Sequence, residues 1–196
     1  MRLYVRQIPI GGVCLKWYAL FVRTGEEEHV RLHLERVLSD REMRILIPKR
    51  KIIERRGGRN CEKIKTLLPG YVLIKADMSQ ELYYELKTVP NLIRVLRDES
   101  EPVEVLEREI AVILALTDNG DVIDFSSVYK EGNAIRVVDG PLKGLEGIIE
   151  SYDHRKKRIK IRLDFMGRTR RIDLGAHLVD VYKLSDIKCT TVSMEK

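Results

Sequence analysis

"VVDGPLKGLEGIIES", residues 137–151, sets three glycines and a proline between two runs that read as β-strands. Asp139-Gly140-Pro141 is turn chemistry, and Gly140, Gly144 and Gly147 permit either a positive φ or a close approach of backbone to backbone. A phosphate-cradling loop would lead from a strand into a helix, whereas Glu146-Gly147-Ile148-Ile149 leads into β-branched residues. The stretch therefore reads as the corner of a small, tightly curved barrel.

Its surroundings agree. The runs "AIRVV", "EGIIESY", "RIKIRLDFM", "RTRRIDL" and "HLVDVY" are short and strand-like, and residues 131–184 fit a small β-barrel followed by a tail at 185–196. Both "RIKIRLDF" and the glycines favour strands over helix, so this barrel is expected to stay a barrel. Upstream, "TDNGDVIDFSSVYK" loses periodicity and gathers Asp, Asn, Gly and Ser, so residues 118–130 read as a linker.

Residues 16–117 show a different rhythm. "KWYALFV" is a nearly continuous apolar run of the kind a central strand shows. Thr24 stands three residues before Glu27 as a capping box, and Val30, Leu34, Val37 and Leu38 follow at helical spacing. "MRILIPKRKIIERR" and "EKIKTLLPGYVLIKADM" read as strands interrupted at Pro48 and Pro69 and joined through Gly57-Gly58-Arg59-Asn60. Ser79 caps a second helix carrying Leu82, Leu86 and Val89; "NLIRVLR" is a further strand, and Leu106, Ile110, Ile113 and Leu114 mark a last helix. This order implies an α+β sandwich with helices on a mainly antiparallel sheet.

A chain of 196 residues, 44% hydrophobic and 34% charged, suffices for one large or two small domains. Its net charge of +6 and low aromatic content suit a soluble protein with a polyanionic partner. Cys14, Cys61 and Cys189 lie far apart and outside any zinc-like spacing, and read as reduced cytoplasmic thiols. No apolar stretch approaches the ~20 residues of a membrane span. Residues 1–15, where Gln7 and Pro9 interrupt any apolar run, read as a flexible leader rather than an export signal.

His29 and His33 share a helix face at metal-pair spacing without a third ligand, and Asp118, Asp121 and Asp124 do not form a calcium-loop pattern. No nucleophile elbow, phosphate loop or Cys-His signature is present. A non-enzymatic protein without cofactor or metal is expected.

"EGNAIRVVDGPLKGLEGIIES" resembles a KOW motif, "KWYALFVRTGEEEHV" resembles the opening strand and helix of the NusG N-terminal domain, and "LLPGYVLIKADM" resembles that domain's Pro-Gly-Tyr-Val strand. The resemblance runs from Lys16 to Lys183. It implies a NusG-type α/β sandwich followed by a KOW, SH3-like barrel. It also implies a monomer whose N-terminal domain lays an apolar depression on the clamp helices of RNA polymerase, through Trp17, Tyr18, Phe21, Leu67, Leu68, Pro69 and Tyr71. Tyr18 and Tyr71, each with a polar tip, are the preferred contacts, while Trp17 and Phe21 suit a core equally well.

From His154 to Arg171 nine basic residues, Arg155, Lys156, Lys157, Arg158, Lys160, Arg162, Arg168, Arg170 and Arg171, face one acid, Asp164. Alternation in "RIKIRL" sends Ile159, Ile161 and Leu163 inward and Arg158, Lys160 and Arg162 outward, a stripe suited to phosphate. Arginine also stacks on unpaired bases, so an RNA hairpin in the nascent transcript is the expected ligand. By charge the chain is most similar to the LoaP group of antiterminators within the family. The alternatives are a general NusG, which acts without an RNA signal, and a ribosome-associated KOW protein. A second basic cluster, including Lys49, Arg50, Lys51, Arg55, Arg56 and Arg59, forms a hairpin that could equally be a solvated loop or a contact to upstream DNA or RNA.

Overall fold

The computed structural model describes residues 15–98, 101–118, 120–132 and 134–179. The readings placed on residues 1–14 and 180–196, including Cys14 and Cys189, lie outside the described residues. In chain order the elements are β1 (Lys16–Val22), α1 (Glu27–Val37), β2 (Arg44–Leu46), β3 (Lys49–Arg56), β4 (Arg59–Thr66), β5 (Tyr71–Ala76), α2 (Gln80–Lys87), β6 (Leu92–Val95), β7 (Arg97–Asp98) and β8 (Glu101–Pro102). There follow α3 (Glu107–Thr117), β9 (Val122–Ile123), β10 (Ser126–Glu131), β11 (Ala134–Asp139), β12 (Ile149–Asp153), β13 (Arg158–Phe165) and β14 (Arg168–Leu178). The fold is α+β and predominantly strand. It divides into two compact units, one of residues up to Ile47 with Leu68–Leu106, the other of Pro48–Leu67 with the chain from Glu107 onward.

The first unit is built on an antiparallel sheet in the order β2-β5-β1-β6. Tyr18, Leu20 and Val22, alternating along β1, enter one core with Val30 and Leu34 of the first helix and Leu38 just after it, and with Leu82 and Leu86 of the second and Val89 just after it. Complete burial of a leucine contributes roughly 1.5–3 kcal/mol, so these positions hold the helices to the sheet. Ser79 caps α2 as its sequence suggests, accepting from Leu82 N–H at 3.2 Å. Val37 does not join the core and is exposed.

The start of α1 differs from the capping-box reading. The N-cap is Glu26 rather than Thr24, and no side chain caps it. Glu27 is instead drawn inward: its carboxylate accepts from Gly70 N–H at 2.7 Å and Gly25 N–H at 2.9 Å, and the residue is buried. Acceptance from two amides satisfies a carboxylate that would otherwise be costly to bury. Glu27→Ala strands both donors, so a loss of about 2–4 kcal/mol is expected in urea unfolding, with Glu27→Gln recovering part of it.

In the second unit β3 and β4 form a two-residue hairpin through Gly57 and Gly58, both at positive φ, and β9 extends it in parallel against Lys49 and Arg50. The barrel sheet runs β11-β10-β14-β13-β12. Ile159, Ile161, Leu163 and Phe165 of β13 are all buried, as the alternation requires. The aperiodic segment 118–130 is largely ordered into β9 and most of β10, where Ser126 and Val128 are buried. Asp121 contributes its carbonyl to Lys49 N–H at 2.7 Å.

The glycine-rich corner has distinct parts. Gly140 has φ +97°, and a Cβ there would stand 2.7 Å from both Phe125 O and Ser126 Cα. The Ser126 hydroxyl receives Leu142 N–H at 3.1 Å, fixing the corner over buried Leu142. Gly144 adopts φ +81° in open space. Gly147 needs neither positive φ nor close approach; it lies in a 3₁₀ turn, Glu146–Ile148, that delays the strand expected at "EGIIESY" until Ile149.

Two further contacts pin the barrel within this unit. Glu109 of α3, itself buried, accepts from Met166 N–H at 3.0 Å and Gly167 N–H at 3.3 Å in the turn between β13 and β14. Gly175 of β14 leaves room for the Phe125 ring and Lys51 O, which a Cβ would meet at 2.3 and 2.7 Å. Lys51 also pairs with Asp124 at 2.7 Å, holding the Asp124 carboxyl below its ordinary pKa.

Candidate nucleic-acid interface

The nine basic residues expected to form one stripe separate into four groups. Antiparallel register sets Lys160 opposite Asp173 and Arg162 opposite Arg171. Directly opposed residues share a face, so Lys160, Arg162 and Arg171 stand together, exposed, on the outside of the β13–β14 pair. Arg168 and Arg170 oppose Phe165 and Leu163 and belong to the other face. Arg155, Lys156 and Lys157 crown the exposed turn before β13, where Asp153 accepts from Lys156 N–H at 3.0 Å.

Arg158 is the member that departs from the expected surface role. Its side chain, only 19% exposed, donates through Nη2 to Ile53 O of β3 at 2.9 Å, and its Nη1 lies 3.8 Å from Asp173 Oδ2. Arg50 donates to the Asp173 carbonyl from the hairpin side. Burial lowers the Arg50 pKa, Asp173 opposes that shift, and the nearby Arg158 charge reinforces it. Two arginines are thus held close by one acid and two strand carbonyls, an arrangement that binds barrel to hairpin. The cause is parity: β3 is flanked by β9 only at Lys49 and Arg50, which leaves the Ile53 carbonyl available to an arginine.

The outer track is not purely positive. Arg171 Nε bonds Glu150 at 2.9 Å, Asp173 lies opposite Lys160, and Asp164 accepts from Thr169 at 2.5 Å. Glu150 and Asp173 lie just outside residues 154–171, Glu150 on the neighbouring strand β12 and Asp173 two residues beyond Arg171 on β14. On the hairpin, Arg55, Arg56 and Arg59 are exposed at the tip, whereas Arg50 and Lys51 are engaged with Asp173 and Asp124 and Lys49 is half-buried. His29 is exposed and its Nδ1 lies 2.6 Å from Glu26; among the described residues no group of three or more His, Cys, Asp or Glu is placed to hold a metal.

The residues expected to face RNA polymerase also divide. Trp17, Tyr18, Leu67 and Leu68 are buried, with Tyr18 inside the core shared with both helices of the first unit. Phe21 and Tyr71 are half-buried neighbours, ring centroids 5.5 Å apart, and the Arg94 guanidinium lies 5.6 Å from the Phe21 ring centroid. Pro69 is exposed. The preferred contact Tyr18 is thus a core residue, because its position on β1 points it to the helix-covered face, while Tyr71 remains accessible.

Comparison with known proteins follows the same outline. The chain is 27% identical over 166 residues to the transcription termination/antitermination protein NusG of Pseudomonas aeruginosa, spanning 81% of this chain and 94% of that protein. It is 28% identical over 166 residues to the Haemophilus influenzae protein of the same name, spanning 81% and 90%. A solved structure described as "Domain interaction in Thermotoga maritima NusG" superposes with a TM-score of 0.56 at 24% identity, covering 82% of this chain and 93% of that one, and so shares the fold. The family described as transcription termination factor nusG matches residues 15–114, just over half of the chain, and the chain belongs to that family.

Proposed function

We propose that this protein is a non-enzymatic, cytoplasmic transcription elongation and antitermination factor. It docks on RNA polymerase through the first unit and captures a hairpin in the nascent RNA through the barrel, promoting readthrough of terminators in long operons. The observation that carries the RNA step is the exposed trio Lys160, Arg162 and Arg171 on one face of two paired strands, continued by Arg155, Lys156 and Lys157. Tethering to polymerase raises the local concentration of each partner for the other, so two modest affinities give selective recruitment. The NusG names of its relatives support a role in transcription. The LoaP-like specialisation rests on the density of basic residues.

A second reading, a general elongation factor acting without an RNA signal, is favoured by the acids Glu150 and Asp173 that interrupt the track. Terminator readthrough in a purified transcription system separates the two. Stimulation confined to templates encoding a leader hairpin supports the first; equal stimulation on templates lacking it supports the second.

For polymerase docking, the accessible part of the expected depression is Phe21, Tyr71 and Pro69. Replacing Phe21 and Tyr71 together by alanine is expected to weaken polymerase binding at least ~30-fold, the loss of one interface hot spot. Co-elution of the full chain with core enzyme measures it. Binding that survives unchanged would place the contact elsewhere.

A further inference from the structure

Beside the cationic turn lies a cleft that the phosphate track does not use. Its volume is about 430 Å³, within the usual range for a small-ligand site, and it is lined by Val128, Tyr129 and Lys130 of β10, Ile135 of β11, Glu150, Ser151 and Tyr152 of β12, together with His154 and Leu178. β11 and β12 are the two ends of the barrel sheet, so the cleft opens along a strand edge. The Tyr152 and His154 rings stand perpendicular with centroids 6.3 Å apart. Tyr152 is tied to the Leu178 backbone, which restrains its ring, whereas His154 is exposed.

Charge surrounds these rings on two sides. Exposed Lys130 stands on one bank, and exposed Arg155, Lys156 and Lys157 continue directly from His154 on the other. The acid in the wall, Glu150, is paired with Arg171. Lys156 lies 3.7 Å from Asp153, and flat π-faces beside exposed cations suit a nucleotide: the ring stacks a base and the cations take its phosphates. The wall combines three rings, Tyr129, Tyr152 and His154, with the aliphatic Val128, Ile135 and Leu178 and with Lys130, a mixture that offers a base both a stacking face and a cation.

We propose that this cleft is a base-binding site, in which an unpaired nucleotide of a single-stranded RNA loop stacks on His154 or Tyr129 while its flanking phosphates lie along Lys130 and Arg155–Lys157. The inference rests on RNA capture by the barrel and adds the reader of the unpaired base to it. Lys160, Arg162 and Arg171 then hold the stem without regard to sequence, and the cleft requires a base that is free to leave the stack.

The test uses the full chain and two hairpin RNAs with the same stem, one with a uridine loop carrying 5-iodouridine and one with abasic loop positions. Wild type is expected to bind the uridine loop about tenfold more tightly, the worth of one base–aromatic stack. His154→Ala, an exposed position outside the core, and Tyr129→Ala are expected to remove that preference while leaving binding to the abasic RNA unchanged. Photo-cross-links are expected at Tyr129, Tyr152 or His154. Equal binding of the two RNAs, or cross-links confined to β13, overturns the cleft while leaving the phosphate track standing. Loss of the loop preference in the His154 variant, with binding undiminished by reversal of Lys160 and Arg162, which leaves the Glu150–Arg171 pair in the cleft wall intact, sustains the cleft and rejects the track. An absence of RNA binding by wild type rejects both.

Discussion

Reversing Lys160, Arg162 and Arg171 to glutamate is expected to abolish tight binding of a hairpin RNA and to lower the slope of log affinity against log salt by about three. Each exposed cation facing a phosphate releases roughly one condensed counterion, so three lost contacts remove about three such ions. The three side chains are exposed on one face and none belongs to the buried core, so the variant is expected to fold, at a cost of about 1 kcal/mol because glutamate at 160 faces Asp173 and glutamate at 171 faces Glu150. Arg158→Glu has a different expected outcome. It places an acid beside Asp173 and a strand carbonyl and removes the donor to Ile53 O, so stability falls together with binding. A salt titration of the triple variant that retains the wild-type slope would remove the track from the RNA contact.

Within the glycine-rich corner the largest stability effect is expected at Gly140. An alanine there combines φ +97° with contacts of 2.7 Å to the backbone at Phe125 and Ser126, neither of which can yield as the tip of a flexible side chain would. Left-handed strain and the enforced shift together should cost about 3 kcal/mol. Gly144→Ala carries the φ strain alone and should cost about 1 kcal/mol. At Gly147, with open space and ordinary φ, alanine is expected to be neutral or to stabilise by ~0.5 kcal/mol through the unfolded state. Urea unfolding of the three variants checks the ranking. A Gly147 variant as damaging as the Gly140 variant would refute this account of the corner.

Where neighbouring residues in the chain decide the structure, the sequence was readable. Period-two alternation in "RIKIRLDF" identified the buried face of β13, and Ser79 announced the start of α2. The reading failed where a partner distant in sequence takes over a side chain. Glu27 looked like half of a capping box, yet Gly70, 43 positions away, claims its carboxylate. Arg158 looked like one of three alternating surface cations, yet Ile53, 105 positions away, claims its guanidinium. Segment 118–130 looked like a linker because its strands are short and end in polar residues, and pairing with β3 and β14 orders them. The basic content of the candidate interface was therefore legible, and its division between structure and surface was not. The cleft at Tyr129, Tyr152 and His154 gave no local signal either, since it is assembled from separate strands.

The turn of Arg158 toward β3 also has an evolutionary consequence. Positions 158, 160 and 162 alternate along one strand, but different contacts hold them. Arg158 is held from within the molecule by a hairpin carbonyl and by Asp173, whereas Lys160 and Arg162 are exposed and, among the described residues, reach no partner beyond their own strand pair. Substitution at 160 or 162 leaves the contacts of Arg158 in place, while a change at 158 has to be matched at 50 and 173. The outer face of the strand can therefore change its chemistry without the strand relinquishing its place in the fold.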